Sequence, residues 1–159
     1  MFTYNDMLVE ADDNNLIAKE KPLKAHKGLI DGRNIAIKKD MTETEKKCVM
    51  AEELGHYYTG IGNILDQSSV SNRKQELRGR IYAYDKLVGL RGIIDAYKNN
   101  CRNVYESAKH LEVTEEFLKE SLSYYRGKYG SSVTVDCYTI FFEPCIAVLE
   151  LTDQSAAKF

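Results

Sequence analysis

The sequence predicts an α+β fold, and three observations carry that prediction. Two short β-prone runs flank Asp31-Gly32-Arg33, the pattern of a hairpin around a turn. A stretch with helical apolar spacing opens at Thr42, and β-type residues return from Ser132 onward. No period repeats along the 159 residues and the only prolines are Pro22 and Pro144, so neither a repeat array nor a flexible linker is expected.

Residues 3–20 read as an opening helix with Leu8, Ala11 and Leu16 inward, interrupted at Asp12-Asp13-Asn14-Asn15. The hairpin strands are Gly28-Leu29-Ile30 and Asn34-Ile35-Ala36-Ile37, the second stopping at Lys38-Lys39-Asp40. Thr42-Glu43-Thr44-Glu45 has capping-box form, the threonine hydroxyl serving the third amide and Glu45 reaching back to the cap amide. That helix should run to about Thr59-Gly60, with Val49, Met50, Leu54 and Tyr57 on one side and Gly60 and Gly62 as stop signals. A loop over 61–71 follows. Asn72-Arg73-Lys74-Gln75 offers a cap for a helix through Leu77, Ile81, Tyr84 and Leu87 to about Val88.

From Leu90 to Tyr129 the pattern stays helical, with a polar break at Asn99-Asn100. Asn103-Val104-Tyr105-Glu106 caps one helix and Val113-Thr114-Glu115-Glu116-Phe117 starts the next, so 103–129 reads as helix, tight turn, helix. Val133, Val135, Ile140 and Phe142, then Ile146, Val148 and Leu149 beyond Glu143-Pro144, predict two closing strands and a frayed tail from Thr152.

Lys and Arg total 22 against 24 Asp and Glu, a net charge of -2 that lacks the basic excess of a protein held on phosphates, so direct nucleic-acid binding is disfavoured. No apolar run reaches the ~18 residues of a membrane span. The amino terminus carries early acids and no signal-peptide pattern, which points to the cytoplasm. Cys48, Cys101, Cys137 and Cys145 form no C-x-x-C pair and read as reduced, mostly buried thiols. His26, His56 and His110 are the only histidines, so a metal site must draw further ligands from carboxylates or cysteines.

The sharpest local feature is Glu52-Glu53-Leu54-Gly55-His56. On a helix, Glu52 and His56 lie one turn apart on one face and can grip a single ion, while Glu53 is rotated beside them. Zinc peptidases of the H-E-x-x-H pattern use this offset: ligands at i and i+4, and at i+1 a glutamate that accepts a proton from water.

This stretch resembles the ImmA/IrrE family of metallopeptidases, found on phages and other mobile elements and in stress-response loci. The likeness includes Lys27-Gly28-Leu29, Ile35-Ala36-Ile37, the Thr42 to Thr59 helix and Asn72-Arg73-Lys74-Gln75-Glu76, in order and spacing. Val113 to Leu118, Lys128-Tyr129-Gly130 and Phe142-Glu143-Pro144-Cys145 look like the phage-type members, so the likeness covers most of 27–145.

The resemblance implies a zincin-like fold, with 1–89 as metallopeptidase core and 90–159 as a helix-turn-helix-like section with closing strands, packed as one unit. It also implies bound zinc and cytoplasmic cleavage of a partner repressor that silences a mobile element. Glu53 matches the general base, His56 the second ligand and Glu76 the downstream carboxylate ligand; Glu52 stands where the family's first histidine would. Two histidines and one carboxylate leave a zinc site formally at +1, whereas Glu52, His56 and Glu76 bring it to 0. Water is then polarised less, and the added oxygen ligand widens the choice toward manganese or iron.

Each residue also has a plainer reading. Glu52 and His56 can be an ordinary helix pair, and Glu76 can pair with Arg80 at i+4, although Gly79 and Ala83 on its face would let a partner helix approach closely. His26 and His110 read as surface or capping histidines. Ile35-Ala36-Ile37 can be core strand or a sheet edge that holds an extended substrate. Tyr57 or Tyr58 can stabilise an oxyanion, but 11 tyrosines favour packing roles. The segment 103–129 suggests a DNA-binding regulator, yet Glu115, Glu116, Lys119 and Glu120 would turn a net negative face to the phosphates. A catalytically inactive relative that binds the repressor without cutting it is the remaining alternative.

Overall fold

The computed structural model describes residues 1–60 and 70–152, and its architecture is α+β as expected. Twelve elements occur among the described residues: α1 Tyr4–Asp13, β1 Ile17–Lys21, β2 Gly28–Asp31, β3 Asn34–Lys38, α2 Glu43–Thr59, α3 Val70–Leu87, α4 Gly89–Lys98, α5 Val104–Leu111, α6 Glu115–Tyr129, β4 Ser132–Val135, β5 Tyr138–Phe141 and β6 Ala147–Glu150.

The opening helix is shorter than its polarity pattern suggested. Asn14 caps it, Asn15 turns the chain through a left-handed φ of 57°, and residues from Ile17 onward become a strand. That strand pairs in parallel with β3, so a distant partner overrides the local helical periodicity. The hairpin of β2 and β3 forms as expected, with Ile35 and Ile37 buried. The sheet order is β1-β3-β2. The backbone of Ile35-Ala36-Ile37 is therefore paired on both sides and cannot receive a substrate strand; the edges are β1 and β2, and β2 is the one beside the cavity described below.

Thr42 caps α2 as the capping box predicts, its Oγ1 accepting from the Glu45 amide at 3.2 Å while its own amide donates to Glu45 Oε2 at 2.9 Å. Met50, Ala51 and Leu54 are completely buried, so α2 runs through the middle of the core, whereas Tyr57 points outward rather than onto the apolar side. The stop at Gly60 is observed; Gly62 and most of the expected 61–71 loop lie outside the described residues. Residues 70 and 71 are already helical, so Asn72 sits inside α3 rather than capping it.

Helices α2 and α3 pack closely. A methyl on Gly55 would strike the Gly79 carbonyl, so Gly55 lets the backbones approach, and one on Gly79 would strike the His56 ring. Asn103 and Thr114 cap α5 and α6 as expected. Helix α6 turns Phe117, Leu118, Ser121 and Tyr125 into the core and leaves Glu115, Glu116, Lys119 and Glu120 outside.

Three closing strands replace the two expected, because Asp136, at φ 54°, turns the chain between β4 and β5. Short polar residues such as Asp tolerate this conformation. The tail from 153 lies outside the described residues. The cysteines also depart from expectation: Cys48 is buried, Cys101 half-buried, and Cys137 and Cys145 exposed. The apolar core is one cluster that runs from Tyr4 to Phe142.

Candidate active site

The cap at Thr42 fixes where α2 begins, and helical spacing then turns Glu52, Glu53 and His56 toward one cavity of about 440 Å³. Strand β2 forms one wall; Glu76 and Arg80 come from α3, and Glu116 and Glu120 from α6. Segments far apart in sequence thus meet around the Glu52 to His56 turn.

The closest convergence is between helices. His56 Nε2 stands 3.3 Å from Glu76 Oε2, while Glu76 Oε1 accepts from Arg80 Nε at 3.2 Å. Both readings of Glu76 therefore hold at once: one oxygen faces the histidine and the other its i+4 arginine. A tetrahedral ion with bonds of about 2.1 Å spaces its ligands by roughly 3.4 Å, so this nitrogen and oxygen suit one cation. Among the described residues no three His, Cys, Asp or Glu side chains form a closed metal-binding group. Glu52 faces the same cavity.

Electrostatics sharpen the picture. Burial pushes the Glu53 carboxyl up to about 8, with neighbouring Glu52 and Glu76 adding to the rise. Glu52 is pushed up to about 7, chiefly by burial and further by Glu76 and Glu120, while Arg80 pulls it back. Burial holds His56 below its ordinary value against the opposing pull of Glu76, which favours the neutral imidazole a metal requires. His56 Nδ1 is buried with no hydrogen-bond partner among the described residues. The cavity gathers three carboxylates beside a histidine held toward its neutral form, with Lys27 and Arg80 as counter-charges, and within it His56 Nε2 and Glu76 Oε2 stand at a spacing that suits two ligands of one divalent cation.

Glu53 is buried, lines the cavity, and makes no hydrogen bond or ion pair among the described residues. Its Oε1 lies where a side chain on Gly28 would reach, so the glycine lets β2 come up against the carboxylate. The two tyrosines considered for oxyanion duty are elsewhere. Tyr58 donates to Glu10 at 3.1 Å and accepts from Asn14 at 2.9 Å, Tyr57 is exposed, and neither lines the cavity. His26 sits exposed at the cavity rim, and His110 pairs with Asp95 at 2.7 Å between α4 and α5.

Sequence reasoning missed the walls contributed by β2 and α6, and saw Arg80 only as a neighbour of Glu76. The i+4 spacing was the available signal for Arg80; nothing local announces that Glu116 and Glu120 reach the cavity.

A peptidase family model, described as the IrrE N-terminal-like domain, matches residues 11–123. The match starts before the Lys27 segment and stops short of Phe142-Glu143-Pro144-Cys145. No curated protein and no solved structure matches the chain.

Proposed function

Because the chain belongs to the IrrE N-terminal-like family of metallopeptidases, we propose that it is an endopeptidase that cleaves a partner repressor protein of a phage or mobile element. Glu53 is the general base in this reading, and Glu52, His56 and Glu76 hold the metal. Zinc is the expected ion, with manganese or iron admitted by the oxygen-rich donor set.

The observation that carries the reading is the 3.3 Å approach of His56 Nε2 to Glu76 Oε2 from separate helices, beside a buried Glu53 that bonds to no side chain among the described residues. Held by Glu52, His56 and Glu76, a cation would lower the pKa of water so that its deprotonated form can attack a peptide carbonyl. Glu53, buried and lining the cavity, is placed to take the proton from the attacking water and to return it to the leaving nitrogen. The free edge of β2, rather than β3, offers backbone hydrogen bonds to an extended substrate beside the cavity.

Residues 1–89 and 90–159 work as one unit in this reading, because the cavity takes walls from both. A repressor substrate implies action in the cytoplasm; no described helix is long and apolar enough to cross a membrane. The DNA-binding alternative fares worse, since the exposed residues at the start of α6, Glu115, Glu116 and Glu120 against Lys119, are net negative and two of them, Glu116 and Glu120, line the cavity.

The test is elemental analysis of protein purified without added metal, beside repressor cleavage by wild type and Glu53→Gln. The expected result is about one metal per chain, with the variant slowed on the order of 10²–10⁴-fold and its metal retained. A metal-free protein that binds the repressor tightly but leaves it intact would identify the non-cutting relative instead.

A further inference from the structure

Arg80 sits one helical turn after Glu76, and the bond from its Nε to Glu76 Oε1 fixes the guanidinium plane. Arginine presents five donors in a rigid fork; here the terminal nitrogens have no hydrogen-bond partner among the described residues. The side chain lines the cavity and is 43% exposed, so these donors stay accessible to a bound peptide.

Arg80 and Glu53 reach the His56–Glu76 pair from different walls. Glu53 lies against Gly28 of β2. Arg80 lies in the field of Glu52, Glu76 and Glu120, the last of these from α6. Hydrolysis of a peptide needs a base on one side of the carbonyl and a donor for the oxygen that becomes negative. With Tyr57 and Tyr58 outside the cavity, and Lys27 on the β2 side with the base, Arg80 is the cation that the described residues place on the α3 and α6 side.

We propose that Arg80 is a catalytic residue whose terminal N–H groups donate to the carbonyl oxygen of the scissile peptide. The proposal rests on the peptidase reading above. In the attack, a bond forms between the water oxygen and the carbonyl carbon, the C=O π pair moves onto the oxygen facing Arg80, and the water proton passes to Glu53. On collapse that pair re-forms C=O, the C–N bond breaks, and the proton on Glu53 goes to the leaving nitrogen. Negative charge on the oxygen is greatest between these events, so the arginine acts mainly on kcat.

The experiment compares Arg80→Gln and Arg80→Lys with wild type, each as purified holoenzyme, by steady-state repressor cleavage and by bound metal per chain. Arg80→Gln should lower kcat on the order of 10²–10³-fold with KM within about threefold and metal content unchanged. Arg80→Lys, which keeps the charge but loses the fork, should recover part of this and remain about tenfold below wild type. Unchanged kcat in either variant overturns the proposal. Metal lost together with activity also overturns it, since Arg80 would then only orient Glu76. If Arg80→Gln fails to fold, the Arg80→Lys rate decides by the same criterion. Wild-type protein that holds no metal and cuts no better than Glu53→Gln marks a failure of the peptidase reading itself.

Discussion

Gly79 leaves open the space that the His56 imidazole fills: a methyl built on Gly79 would collide with His56 Nδ1. The glycine is thus a packing requirement of the site as well as of the helix pair. With Gly55 under the Gly79 carbonyl, it lets α2 and α3 approach until a nitrogen from one and an oxygen from the other come within reach of a single ion.

Gly79→Ala tests that requirement. Helix propensity alone would reward the change by about 1 kcal/mol, but forcing a methyl into filled space costs about 1–3 kcal/mol. The clash is with a buried ring, so the cost should win, with a lower urea midpoint and metal bound at least about tenfold more weakly. Gly127→Ala is the control: its methyl meets open space within α6, so the propensity gain should appear as stabilisation. A stabilised Gly79→Ala with full metal affinity would show that the imidazole does not occupy this place.

Gly28→Ala addresses the proposed base instead of the proposed ligands. A methyl there would come 2.5 Å from both Glu53 Oε1 and Val49 Cγ1. The carboxylate is the freer of the two and should swing away, slowing cleavage by about tenfold or more because proton transfer depends on its placement. Bound metal should not change. Repressor cleavage at the wild-type rate would mean that Glu53 does not act from this position.

Local features were readable in the chain. Thr42 and Glu45 lie three residues apart, and Asp31-Gly32-Arg33 joins adjacent strands, so short-range chemistry decides both. Glu52, Glu53 and His56 fall on neighbouring faces through helical geometry alone. The approach of Glu76 was expected from the family resemblance and hinted at by Gly79. Long-range packing was not readable: β1 needs β3 as its parallel partner, and Glu116 and Glu120 reach the cavity only because α6 buries Phe117 against Tyr84, ring centroids 5.2 Å apart. The turn at Asp136 depends on one backbone angle that the β-type residues around it concealed.

The cap of α2 predicts a pH signature. Hydrogen bonds from the Thr42 amide and hydroxyl hold the Glu45 carboxyl below the usual carboxylate range. A folded value below the unfolded one means that this contribution is complete above the unfolded value, near ~4.3, and is lost as pH falls through the lower folded value. Glu45→Gln should therefore be less stable than wild type at neutral pH and indistinguishable from it in strong acid, as read by urea midpoints across that range. Thr42→Ala should cost about 1 kcal/mol near neutrality. A Glu45→Gln deficit that persists unchanged in acid would assign the effect to something other than the carboxylate.

Glu52→His tests the residue that departs from the family pattern. The change replaces a half-buried carboxylate, whose ionisation burial opposes most, with Arg80 favouring it and Glu76 and Glu120 opposing it, by a group that can be neutral. The cost of keeping a charge out of water should fall in the metal-free cavity by more than the lost attraction to Arg80, so the metal-free variant should unfold at higher urea than wild type. An added imidazole also exchanges an oxygen donor for a nitrogen one, which favours zinc over manganese. The ratio of zinc to manganese affinity, measured by competition with a chromogenic chelator, should rise by about tenfold or more. The two readouts separate the roles of position 52. Higher stability with an unchanged metal ratio would make Glu52 a crowded acid that is not a ligand, whereas both effects together are expected of a carboxylate that shares the ion with His56 and Glu76.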